Sequence, residues 1–243
     1  MSNFGYTRPH TLPPIVKNLI IINVLVFVAQ LTLKQFEITE RFSLYPLMPA
    51  ELLEIAKSSP GMQPYYGFQP YQIATHMFSH SPGSFFHILF NMFALWMFGK
   101  ILENVWGPKR FLFFYLACGV GAAACHLAIQ YFRCEALLDA LNANSPNISS
   151  LTGALSPALG ASGAVMGIMA AFAFLFPNTE MFIMFIPMPV KAKWAVLGYI
   201  AIDLLGGLGV YNDNVAHFAH LGGALTGFII VLIWNKTGRR RFY

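Results

Sequence analysis

Six stretches of this chain, 19–33, 85–98, 111–129, 162–176, 194–208 and 215–234, hold between them a single Asp, Glu, Lys or Arg, which is Asp203. The whole chain is 56% hydrophobic and 10% charged, with mean hydropathy +0.57. A soluble domain carries about 25% charged residues. This predicts an all-α membrane protein, a bundle of six transmembrane helices forming one domain over 1–243 with no soluble appendage. No small-residue cleavage site follows the first stretch, so it reads as a retained span and not a signal peptide. The segment 34–84 has mixed charge but many Leu, Met, Phe, Tyr and Pro residues, which predicts short helices partly in the membrane interface. The segment Arg133–Ala158 reads as a polar loop.

Basic residues orient the bundle. With the N-terminus inside, Arg8, Lys17, Lys100, Lys109, Arg110, Lys191, Lys193, Lys236, Arg239, Arg240 and Arg241 are inner. Lys34, Arg41, Lys57 and Arg133 are outer, so the split is 11 against 4 of 15. Both termini are then cytoplasmic. The net charge of +5 reflects this topology and contact with acidic lipid, not a nucleic-acid partner. Cys118, Cys125 and Cys134 lack metal or disulfide spacing and read as packing residues.

Counting along the spans brings three polar side chains to one depth. The second, fourth and sixth stretches descend from outside to inside and end at Lys100, Pro177 and Lys236. His87 lies 13, Ser162 15 and His220 16 residues before those marks. At about 1.5 Å per residue, all three stand roughly 20–24 Å above the inner boundary of a core about 30 Å thick. The fourth stretch reaches only about 22 Å, so it must begin inside the bilayer. Residues 155–161 then form a loop at membrane depth, which is tolerated only when buried in protein or lining a wet cavity. Gly163, Gly167 and Ala171 repeat every four residues, as do Ala219, Gly223 and Gly227, so two close-packing faces carry Ser162 and His220 beside them.

That set of residues fits acyl transfer. A serine hydroxyl becomes a nucleophile when a base takes its proton, and a neutral imidazole does so near pH 7. His220 matches the depth of Ser162. His217, one turn higher, is expected to line the core or cavity. His87 and Asn91 share a helix face, and the Ser162 backbone N–H lies at a helix N-terminus, where amides are unpaired. Together these supply donors for a developing oxyanion. Asp203, the only acid inside a stretch, is a candidate to orient a histidine, but the sequence does not place it and a structural hydrogen bond is the default reading.

The pieces His87-Ile88-Leu89-Phe90-Asn91, Gly160-Ala161-Ser162-Gly163 and Ala219-His220-Leu221-Gly222-Gly223, in this order and in these stretches, resemble the rhomboid intramembrane serine proteases. The resemblance covers essentially all six stretches. It implies a Ser162–His220 dyad without a catalytic acid. Oxyanion contacts are implied from His87, Asn91 and the Ser162 amide, and 34–84 would be a membrane-dipping loop. Substrates would be single-span membrane proteins cut in or near their transmembrane segment. No metal, nucleotide or other cofactor is implied, and the partners are substrates and membrane lipids.

Two positions depart from the family. Tyr71-Gln72 stands where many members have Trp-Arg, which bears on how the first loop is anchored. Met166 replaces a frequent aromatic four residues past the nucleophile, leaving His220 to neighbours such as Phe218 or His217. The bare six-span core resembles the bacterial form, which predicts the plasma (inner) membrane of a prokaryote. Two rival readings remain. One is a catalytically silent, rhomboid-like protein that binds client helices. The other is a metal site or transporter built on His76, His80, His87, His217 and His220, although the Glu-His spacing of helical zinc proteases is absent.

Overall fold

A computed structural model describes residues 11–58, 67–143, 155–182, 188–209 and 216–237. Arg8, the basic tail 239–241 and Val215, the first residue of the predicted sixth span, lie outside the described residues. Helix α1 is Pro14–Thr32. The first loop holds the short helices α2 (Ile38–Phe42), α3 (Ala50–Ser58) and α4 (Gln72–Thr75). Then come α5 (Phe85–Trp106), α6 (Pro108–Asn142) and α7 (Ser162–Leu175). A small antiparallel hairpin, β1 (Glu180–Phe182) with β2 (Pro189–Lys191), leads into α8 (Ala192–Gly207) and α9 (His217–Thr237).

Helices α1, α5, α6 and α9 are long and apolar enough to cross a membrane, whereas α7 is apolar but has only 14 residues. By length alone, four helices among the described residues qualify as crossings of the six expected. The long helices turn apolar side chains outward, among them Leu25 on α1, Phe86, Phe90 and Phe93 on α5, and Ile229 and Ile233 on α9. An apolar exterior of this kind suits a lipid environment. The inward face of α1 follows the helical repeat through Val16, Leu19, Asn23, Phe27 and Gln30. Its first turn is tied down by the buried Glu103, whose Oε1 and Oε2 accept the Ile15 and Val16 N–H groups at 2.9 and 2.8 Å. A carboxylate placed there also complements the helix dipole.

Helix α6 runs through the segment expected to be a polar loop, as far as Asn142. Cys134, Leu137, Leu138 and Leu141 keep a helical spacing and pack against Met48, Leu52 and Leu155, which outweighs the polar residues between them. Within the extension, Arg133 donates from Nη2 to the Gly207 carbonyl at 2.8 Å and lies over the Phe218 ring at 5.1 Å. It thereby caps the end of α8 and holds it to the start of α9.

The first loop is pinned by neutral amides. Gln72 is fully buried. Its Oε1 accepts from the Tyr45 and Gln69 N–H groups at 3.3 and 3.1 Å, and its Nε2 donates to the Gly67 carbonyl at 3.2 Å. Anchoring at the departure from the family pattern is thus done by an uncharged side chain, while Tyr71 is exposed. Gln30 of α1 plays a similar part, donating to Ser79 Oγ and the His80 carbonyl at 2.8 and 2.9 Å and accepting the His80 N–H at 3.0 Å.

Helices α7 and α9 meet along their glycines. A methyl added at Gly223 would overlap the Gly163 carbonyl, and one at Gly227 would lie 2.6 Å from the Gly167 oxygen. The two four-residue repeats are in register, so the backbones touch where side chains normally intervene. Cys118 and Cys125 of α6 fill the outer sides, against Gly167 and Gly222, as free thiols.

Gly223→Ala is therefore expected to lower stability by about 1–3 kcal/mol, the usual cost of overpacking. Gly198→Ala, where an added methyl meets nothing within 4 Å, should be neutral. Thermal unfolding of both variants in detergent checks the pair.

Candidate active site

Ser162 is the first residue of α7. The preceding chain reaches it as an extended segment, with Leu44 and Ala158 exchanging both backbone hydrogen bonds at 2.8 and 2.9 Å. Next, the Gly160 N–H donates to the His76 carbonyl at 2.9 Å. Non-helical backbone far from water requires such partners, and the first loop provides them. Gly160 has φ +125°, a region that is essentially glycine's alone. The chain turns there so that Ser162 opens the helix. The first bond across that turn runs from the Val165 N–H to the Ala161 carbonyl, so the Ser162 amide lies among the end groups that have no intrahelical acceptor.

His220, on the first turn of α9, faces this serine. Its Nε2 lies 2.7 Å from Ser162 Oγ. Its Nδ1 lies 3.0 and 3.2 Å from the two carboxylate oxygens of Asp203 on α8. Asp203 Oδ1 also lies 2.8 Å from Nδ1 of His217. All three residues are buried, with 3–7% of their surface exposed. His217 is thus no passive lining residue. It shares a carboxylate oxygen with His220 and packs its ring on Gly206.

His87 stands on the other side of the serine. Its Nδ1 accepts the Ser81 N–H at 3.2 Å, which leaves the ring proton of the neutral form on Nε2. That Nε2 is only 2.9 Å from where a Gly160 Cβ would be, and the same point is 3.5 Å from Ser162 Oγ. The glycine therefore makes room for the His87 ring beside the hydroxyl. Asn91 sits one turn below His87 and is buried. Its Nδ2 donates back to the His87 carbonyl at 2.8 Å, which commits one of its two N–H bonds within α5. His80 lies edge-on to His87, with ring centroids 5.1 Å apart. Burial first, and then the facing His87, push the His80 imidazole down to about 3, so no cation stands behind His87 near neutral pH.

Met166 packs with Ala170, Ala224 and Ile200, while Phe218 lies under Arg133. The aromatic neighbour of His220 is Tyr199, with ring centroids 6.4 Å apart. Reading the sequence missed Tyr199 and Ser81. Tyr199 precedes Asp203 by four residues, hence one turn away on the same face of α8, and that spacing was the available signal. Among the described residues, no group of three or more His, Cys, Asp or Glu is arranged to hold a metal ion.

The family model of the Rhomboid domain matches residues 67–236. Presenilin-associated rhomboid-like protein, mitochondrial, of Homo sapiens is 34% identical over 165 residues, which is 65% of this chain and 38% of the relative. Rhomboid protein 1, mitochondrial, of Saccharomyces cerevisiae is 29% identical over 152 residues, 63% and 38% of the two chains. RHOMBOID-like protein 12, mitochondrial, of Arabidopsis thaliana is 31% identical over 170 residues, 70% and 47% of the two chains. The chain spans less than half the length of these relatives. Their names overturn one expectation from the sequence. All three relatives are mitochondrial by name, which contradicts the expected prokaryotic plasma membrane with termini in the cytoplasm.

Gly160→Ala places a methyl against His87 and forces a strained φ. It is expected to slow modification of Ser162 by a fluorophosphonate about 10-fold or more, the rate equivalent of about 1.4 kcal/mol. The time course of probe labelling in detergent measures this.

Proposed function

The chain belongs to the rhomboid family, and from that premise we propose that it is an intramembrane serine endopeptidase with Ser162 as nucleophile and His220 as general base. The observation that carries the reading is the 2.7 Å approach of His220 Nε2 to Ser162 Oγ at the head of a buried, short helix. In this reading six helices cross the membrane as one domain over 1–243. Helix α7 lies inside the bundle and α8 packs at its edge against α7 and α9, and 34–84 is the membrane-dipping loop.

The chemistry follows from the groups present. His220 Nε2 takes the hydroxyl proton as Ser162 Oγ bonds to the scissile carbonyl carbon. The carbonyl oxygen becomes an oxyanion, held by the Ser162 N–H, the His87 Nε2–H and the free N–H of Asn91. Collapse breaks the C–N bond, and His220 returns the proton to the leaving amine. Water then adds to the acyl-enzyme with His220 again as base, which releases the acid and restores the hydroxyl. No metal or cofactor takes part.

Substrates are single-span membrane proteins, opened at helix-breaking residues in or near the transmembrane segment. An extended strand is needed because a helical peptide bond is shielded by its own backbone. Following the compartment in the relatives' names, the enzyme works in a mitochondrial membrane. Both ends of its helical core lie on one side, as the basic residues dictate.

Ser162→Ala and His220→Ala should each abolish cleavage of a purified transmembrane substrate. Asn91→Ala should keep a residue of it, about 10²–10³-fold below the parent, as for loss of one oxyanion donor. Undiminished cutting by Ser162→Ala would remove the assignment. If a fluorophosphonate fails to label the parent protein at Ser162, the silent helix-binding reading takes its place.

A further inference from the structure

We propose that Asp203 is a positioning residue for the reaction, holding His220 in the one tautomer that can accept the serine proton, with His217 holding Asp203 in turn. The inference rests on the serine-protease reading above and adds a third group to a dyad for which the family resemblance implies no acid.

A neutral imidazole carries one proton, on either nitrogen. If that proton sits on Nε2, it points at Ser162 and the ring cannot act as base. If it sits on Nδ1, Nε2 offers its lone pair to the hydroxyl. Nothing intrinsic to His220 selects the second form. Asp203 does, because an ionised carboxylate only accepts hydrogen bonds and both its oxygens lie within 3.0–3.2 Å of His220 Nδ1. Carboxylate, imidazole and hydroxyl thus form one chain, the last link being 2.7 Å.

A plain structural hydrogen bond leaves the rest of the arrangement unexplained. Asp203 is the single Asp, Glu, Lys or Arg within the six apolar stretches and is 3% exposed. A buried carboxylate is costly unless its oxygens are satisfied. His217 supplies the second donor, its Nδ1 lying 2.8 Å from Oδ1. Being bound from both sides, the carboxylate has little freedom to swing away from His220. Once His220 takes the proton during attack, Asp203 also faces the imidazolium that forms, which stabilises the charge where it appears. The acid gains no proton in the cycle.

The test is Asp203→Asn in the full chain, read by steady-state kinetics on a transmembrane substrate and by nitrogen-15 NMR of labelled histidines. An amide can donate to Nδ1 and so favours the wrong tautomer. Turnover is expected to fall about 10²–10⁴-fold with KM changed less than about threefold, by analogy with the Asp-to-Asn change in a soluble triad. The His220 proton, assigned by its loss in His220→Gln, should move from Nδ1 to Nε2. Unchanged turnover, or a His220 ring that carries its proton on Nε2 in the parent, would overturn the proposal. If Asp203→Asn does not fold, the parent and His220→Gln spectra decide the tautomer alone. The NMR result does not depend on turnover, so it stands apart from the Ser162→Ala test of the protease reading.

Discussion

Everything at the serine depends on how closely two helices are allowed to approach. Gly163 and Gly167 of α7 face Gly223 and Gly227 of α9 with main-chain atoms in contact. Lipid tails are as apolar as leucine, so little drives such helices together except this fit. A single methyl in the seam would push the helices apart, and Ser162 and His220 lie next to it. Their 2.7 Å separation is a consequence of missing side chains a turn away.

The second requirement is irregular backbone whose polar groups are paired within the protein. The chain entering α7 meets Leu44 and His76, both from the first loop, and that loop is fastened by Gln72 and Gln30. The loop is therefore part of the floor on which Ser162 stands. The same logic explains why uncharged amides suffice there. Each offers two donors and an acceptor, and neither brings a charge that would need a partner.

Much of this was legible in the residues. The depth count put His87, Ser162 and His220 on one level, and the structure brings His220 and the His87 ring beside the hydroxyl. The glycine repeats pointed to the touching faces. What was not legible depended on three-dimensional rotation. Asp203 lies 17 residues before His220 on a neighbouring helix, and its aim is set by how α8 turns, which no count along the chain supplies. Tyr199 was hidden for the same reason, and attention went to Met166 by analogy. The run of α6 to Asn142 was missed because its polar residues were weighed together, without separating the apolar stripe formed by Cys134, Leu137, Leu138 and Leu141. Basic residues report sidedness, a property of any membrane with a bias in charge, and so they could not name the compartment.

The brevity of α7 has a further consequence. Its surface is covered by protein along nearly its whole length, so bilayer thickness acts on it only through its neighbours. Hydrophobic mismatch falls on α1, α5, α6 and α9, which can tilt to absorb it, and the hydroxyl keeps its place relative to the imidazole. The serine–histidine pair is in this sense insulated from the lipid, and a change of membrane alters how the protein leans more than how these two side chains meet.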